Sequence, residues 1–169
     1  ITSSQYQVIE HAAGGKVDKI LFWVTAPKSF GVTDAKDWYG QSFVQDEMLP
    51  LARKSNATYM GRPLIDLTNG WGAIEVTVQP LADILKDIAH VDIIDMDVQG
   101  AEADVIENGL EVLNQKVKRV HIGTHSHEVE ARIRKALLSQ GWINLWDYPC
   151  QGECNTPYGR INFGDGVQS

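Results

Sequence analysis

Apolar and polar positions alternate in two different rhythms along this chain. In "YQVIEHAAGGKVDKILFWVTA", two strand-like runs, residues 6–12 and 17–26, flank Gly14 and Gly15. Glycine accepts the positive φ of tight turns, so a Gly-Gly between apolar runs predicts a β-hairpin. From Pro27 to about Gly72 neither rhythm holds, and only "DEMLPLARKS" suggests a short helix. Long irregular stretches are uncommon inside compact domains and often carry function, so residues 27–72 are predicted to form an insertion or lid over a substrate.

Beyond that stretch the order becomes regular. "AIEVTVQ" alternates as a strand, and "PLADILKDI" opens a helix with Pro80 in the first turn. "HVDIIDMDV" is a near-continuous apolar strand, and Ile106, Leu110 and Leu113 follow at i, i+4 and i+7 of a helix. "VKRVHIGTH" reads as another strand. Ser126 can cap the helix "SHEVEARIRKALLSQG", whose apolar face is Val129, Ile133, Ala136 and Leu137 and whose stop is Gly141. "WINLWDY" and "RINFGDGV" supply two further strands. Strands alternating with helices predict an α/β fold, with a mainly parallel sheet and antiparallel elements near each end.

Composition narrows the function classes. A chain of 169 residues can bury one real core as a single domain. A net charge of −7 argues against a general grip on nucleic acid or anionic membrane. No apolar run reaches the ~20 residues of a membrane span, and "ITSSQYQVIE" has no signal-peptide pattern, so the expected location is cytoplasmic. Cys150 and Cys154 are too few for a disulfide scaffold. Together with His121, His125 and His127 they match neither paired structural-zinc spacing nor a helical HExxH, so no metal site is expected.

In open α/β sheets ligands bind beyond the carboxyl ends of the strands. Asp95, Asp97 and Gln99 stand at one such end, His125 at a second, and His11 and Ala12 at a third if that strand runs parallel. Two carboxylates as close as Asp95 and Asp97 could bind a cation or share a proton; equally, one could be solvated and the other a helix cap. Glu102, in the first turn of its helix, is either a cap or a site residue. No Gly-rich phosphate loop is present, because Gly70-Trp71-Gly72 leads into a strand-like run and not into a helix.

The segment "VDIIDMDVQGAEADVIENG" resembles the characteristic strand, turn and helix of FkbM-type S-adenosylmethionine-dependent methyltransferases. "IEHAAGG", "SQGW" and "DGVQ" extend the likeness over about residues 6–168. The resemblance implies a Rossmann-like class I methyltransferase sheet and S-adenosylmethionine as cofactor. The family's glycine loop and second-strand acid have no counterpart here, so the chain corresponds to the C-terminal two-thirds of such a domain, with the N-terminal strands missing. Asp97 then lies beside the methyl group and an acceptor hydroxyl, as base or orienting group, and His125 is the second choice because imidazoles exchange protons near physiological pH. Glu102 and Gln99 position the loop or contact the acceptor, while His11, Ala12, Asp95 and also Gln99 border the cofactor. The implied reaction is O-methylation of a sugar, glycolipid or polyketide-type hydroxyl, by a possible homodimer. Two competing readings are a metal-dependent glycosyltransferase using "DMD" as a DxD site, and a non-catalytic α/β binding module.

Overall fold

A computed structural model describes residues 6–24, 43–44, 46–67 and 72–169. The N-terminal part is built on a five-stranded mixed sheet. Its strands are β1 (Ala12–Ala13), β2 (Asp18–Val24), β3 (Arg53–Tyr59), β4 (Arg62–Asp66) and β5 (Gly72–Gln79). Ala73 pairs with Trp23 of β2 and with Ile65 of β4, and Val78 pairs with Asp18 of β2 and with Ala12 of β1. Thus β2 occupies one edge of β5, while β4 and β1 share the other.

That arrangement corrects the hairpin expected at Gly14 and Gly15. The chain does reverse there, but β1 and β2 straddle β5 and do not pair with each other. The long apolar alternation of β5 offers two paired edges, which outweigh a local glycine turn. The stretch read as irregular also contains order. A 3-10 helix spans Asp46–Leu51, and β3 and β4 form an antiparallel hairpin around the Met60-Gly61 turn. Residues 25–42, 45 and 68–71 of the expected insertion lie outside the described residues, as does most of the Gly70-Trp71-Gly72 stretch.

A short helix, α1 (Leu81–Ile84), follows Pro80 and stops after four residues. Next come β6 (Ile94–Met96), α2 (Glu102–Lys116), β7 (Val120–Thr124) and α3 (His127–Ser139). The chain closes with β8 (Asp147–Tyr148), the β9 (Gly152–Thr156) and β10 (Gly159–Phe163) hairpin, and β11 (Gly166–Gln168). The second sheet has the order β6-β7-β11-β8, parallel between β6 and β7 and antiparallel elsewhere. The α/β class therefore holds, but the sheets are mixed. Among the described strands, only β1 with β5 and β6 with β7 pair in parallel.

The largest core lies between α2, α3 and the second sheet. Ile106, Leu113, Ile122 and Ile133 are fully or almost fully buried there, with Leu81 and Leu85 closing one end. Ile106 and Leu113 fall on the face that helical spacing assigned, and Leu110 packs at its margin. Ser126 caps α3 by accepting the Val129 N–H at 3.2 Å. Gly141, at φ +83°, takes the left-handed conformation just past the end of the same helix. These two fixed ends of α3 and the β6–β7 pairing set the geometry of the loops that carry the polar residues.

Candidate active site

The parallel pairing of β6 and β7 brings their C-terminal ends side by side, with Met96 in register with Ile122. The chain then leaves β6 as Asp97-Val98-Gln99-Gly100 and enters α2 at Glu102. This loop needs an unusual backbone. Gln99 has φ +55° and Gly100 φ +103°, and a non-glycine residue in the left-handed region costs energy that its surroundings must offset.

The Glu102 side chain supplies that compensation. It is fully buried, and its carboxylate accepts the N–H of Val98 at 3.1 Å and that of Gly100 at 3.0 and 3.1 Å. Glu102 thus closes the loop that precedes its own helix. The two readings of Glu102, cap and site residue, meet in one group, because Oε1 also lies 3.0 Å from His125 Nδ1. An ionised carboxylate only accepts, so Nδ1 carries the proton in that contact. A neutral His125 ring then presents its Nε2 lone pair on the opposite side.

His125 follows the last residue of β7. Its Nε2 lies 3.3 Å from Asp97 Oδ1 and 4.0 Å from Asp165 Oδ1. The angle to Asp97 does not make a hydrogen bond, and this nitrogen is buried without a partner. Asp97 itself is well exposed and accepts from Gln99 Nε2 at 2.8 Å. A hydroxyl in the cavity would meet the Asp97 carboxylate, with the His125 ring, which does not itself line the cavity, behind it. Asp97, Glu102 and His125 also place one ligand atom each within 4.8 Å of one another.

A cavity of about 660 Å³ opens beside this group. Its lining joins Glu10, His11, Ala12 and Ala13 of the β1 segment to Asp97, Val98, Gln99 and Ala101 of the loop, over an apolar wall that includes Phe22, Ile74 and Val76. His11, Ala12, Asp97 and Gln99, predicted from separate strand ends, therefore meet at one cavity. Its volume is in the range of small-molecule and cofactor sites, which run about 300–1,000 Å³. Asp95 is not brought to it. It is exposed on β6 beside His121 of β7 and lines neither this cavity nor the one bordered by His121 and Trp142. The reason is the short strand: Asp95 is still within the β6 ladder, whereas Asp97 has left it for the loop. The DxD pair consequently does not converge, and the ligand-bearing groups found among the described residues include Asp97 but not Asp95.

Three residues at the site escaped the sequence reading. Asp165 approaches His125 from the turn between β10 and β11; it opens the "DGVQ" stretch of the resemblance, which gave it no role. Arg62 and Phe22 line the cavity from the first sheet, where no local pattern marks them.

No solved structure matches this chain. A curated protein of Jannaschia sp. (strain CCS1), described as a "Putative methyltransferase", is 38% identical over 68 residues, covering 38% of this chain and only 24% of that protein's length. The family model for the methyltransferase FkbM domain matches residues 3–141, a span that takes in β1, the Glu102-closed loop and His125. The chain belongs to the FkbM methyltransferase domain family.

Proposed function

We propose that this chain forms, as one α/β domain over residues 1–169, the acceptor side of an S-adenosylmethionine-dependent O-methyltransferase with a Rossmann-like sheet. The observation that carries the reading is the Glu102-closed loop, which sets Asp97 3.3 Å from His125 Nε2 at the rim of the 660 Å³ cavity. Size and lining suit a nucleoside-bearing cofactor. Apolar Phe22, Ile74 and Val76 offer a surface for a flat base, and His11 and Gln99 offer polar groups at its edge. S-adenosylmethionine supplies, when bound, an electrophilic methyl group on a sulfonium.

The residues of this chain do the remaining work. Methyl transfer is an in-line displacement, so alignment dominates, and the acceptor hydroxyl has to lose its proton. Asp97 accepts or orients that proton, with Gln99 fixing the carboxylate. His125 stands behind as the second acceptor. Glu102 holds its ring through Nδ1 so that Nε2 lies buried behind Asp97, which lines the cavity, and it acts as a positioning residue. The net charge of −7 supports a neutral hydroxyl acceptor, such as a sugar, glycolipid or polyketide, over nucleic acid. The non-convergence of Asp95 and Asp97 weighs against a DxD glycosyltransferase.

Calorimetric titration separates the readings. The expected result is saturable binding of S-adenosylmethionine and no binding of a manganese-loaded sugar nucleotide; the reverse pattern would replace the proposal by the glycosyltransferase reading. With a hydroxylated acceptor that turns over, Asp97→Asn should lower turnover by about 10²–10⁴-fold, the usual contribution of a positioned base. Unchanged turnover in that variant would remove Asp97 from the role.

A further inference from the structure

A second cluster of polar side chains, bonded to Thr124, lies outside the cavity lining, and the proposed reaction does not use it. His127 and Glu130 sit one helical turn apart at the start of α3, and Cys150 faces them from the segment after β8. His127 Nδ1 is 3.3 Å from Glu130 Oε2 and 3.7 Å from Cys150 Sγ. The three ligand atoms all lie within 4.8 Å of one another. Glu130 and Cys150 are buried, whereas the His127 side chain is two-thirds exposed, at 67%.

These separations match the edges of a metal tetrahedron. With Zn–S of about 2.3 Å and Zn–N and Zn–O of about 2.0–2.2 Å, a tetrahedral ion sets its S and N ligands about 3.6 Å apart and its N and O ligands about 3.4 Å apart. Taken singly, these contacts are also those of hydrogen bonds from the imidazole or the thiol to Glu130. What distinguishes the set is the convergence of one nitrogen, one carboxylate oxygen and one sulfur at these separations.

The surroundings prepare the carboxylate for that role. Glu130 Oε1 is occupied, accepting the Cys150 N–H at 2.5 Å and the Thr124 hydroxyl at 3.1 Å. These bonds fix the carboxylate plane and leave Oε2 toward His127, the kind of orienting support that metal-ligating carboxylates receive. Arg134 Nη2 stands 3.6 Å from Oε2, but its guanidinium is bound through two nitrogens to Asp147. Gly166 of β11 lets the cluster close. A Cβ there would fall 2.3 Å from Glu130 Oε1 and 2.4 Å from Thr124 Oγ1.

We propose that His127, Glu130 and Cys150 form a binding site for a tetrahedral divalent transition-metal ion, best suited to zinc, with the fourth position open to solvent beside His127. One thiolate, one imidazole and one carboxylate make a borderline-soft donor set of the zinc type. Burial and the neighbouring Glu130 push the Cys150 thiol up in pKa, so the metal-free chain holds it protonated. Binding therefore forms bonds from the ion to Sγ, Nδ1 and Oε2 and releases the thiol proton to solvent. The bound ion ties the first turn of α3 to the segment that follows β8. The sequence reading missed this set because its spacing is HxxE on a helix with a cysteine twenty residues later, which no short motif covers.

The test uses the tag-free chain, under reducing conditions, with cobalt and zinc ions as probes. Cobalt is expected to bind one ion per chain and give a near-ultraviolet thiolate-to-cobalt charge-transfer band, which one equivalent of zinc removes. His127→Ala changes an exposed side chain and should fold normally; it is expected to lose the band and weaken zinc binding at least tenfold. Cys150→Ser should lose the band too, and Cys154→Ser should keep it. Absence of the band in the unaltered chain, its survival in both His127→Ala and Cys150→Ser, or its loss in Cys154→Ser would each overturn the proposal.

Discussion

Removing the Glu102 carboxylate takes the acceptor from the half-buried Val98 N–H and from the Gly100 N–H, and frees His125 to rotate. Losing a hydrogen bond to a charged group costs roughly 1–3 kcal/mol, so Glu102→Ala should destabilise the chain by about that amount in urea denaturation. Glu102→Gln keeps the shape and one acceptor oxygen, and its loss should be the smaller of the two. Equal losses would mean that side-chain volume, and not hydrogen bonding, holds the loop. At Gly166 the argument is steric. The extra methyl of Gly166→Ala meets Glu130 Oε1, Thr124 Oγ1 and the Cys150 nitrogen, all within 2.6 Å, and the Glu130 carboxylate cannot swing away without abandoning two donors. Overpacking of this kind typically costs about 1–3 kcal/mol, readable as a lower denaturation midpoint with an unchanged slope.

At the scale of elements, local signals located what depended on local physics. The apolar face of α2, the Ser126 cap of α3, and the strands β5 and β7 all follow from spacing within one segment. Ser126→Ala should consequently cost about 1 kcal/mol, since the Val129 N–H loses its only side-chain acceptor; an unchanged midpoint would show that water replaces the cap. Partner choice was less legible. Gly14-Gly15 signals a reversal, but nothing within residues 6–26 says that β5, some fifty residues on, will lie between the two strands it links. "HVDIIDMDV" reads as one strand over nine residues, yet only Ile94–Met96 forms a ladder, because Val91 makes an isolated bridge to Val117 and the intervening residues leave the pairing. The β3–β4 hairpin was hidden for a related reason. "RKSNATY" is polar and half-exposed, with burial alternating weakly along it, so no apolar rhythm announces a strand.

At the scale of the whole molecule, the site is an assembly of ends. The ends of β1, β6 and β7, and the turn before β11, contribute His11, Asp97, His125 and Asp165 respectively. The residue types at the ends of β6 and β7 were legible because strand-terminal polar residues stand out against apolar runs; His11 was expected at the carboxyl end of a strand over residues 6–12 but precedes β1 (Ala12–Ala13), and Asp165 and the His127, Glu130 and Cys150 cluster depend on how β11 and the segment after β8 fold back. The same fold-back is held by charge. Arg134 of α3 grips Asp147 of β8 through two nitrogens, and Gln168 of β11 adds a hydrogen bond to the same carboxylate at 2.8 Å. Arg134 and then Gln168 outweigh partial burial and hold the Asp147 carboxyl below its ordinary 3.8. Arg132 likewise lowers Glu107 from 4.5, linking α2 to α3. A carboxyl whose pKa is depressed on folding contributes stability that is fully present above its unfolded value and is lost as pH falls through its folded value. The thermal midpoint should therefore be flat on this account from neutral pH down to about pH 5 and fall below that, as protonation first favours the unfolded chain. Because both pairs are partly solvated, each should contribute on the order of 1 kcal/mol or less, and the fall should lessen at high salt. Asp147→Asn should start from a lower midpoint at neutral pH and decline less steeply below pH 4, since it has removed one of the carboxyl groups that take up a proton. A variant that tracked the unaltered chain at every pH would show that the Arg134 pair does not help hold β8 and β11 against α3.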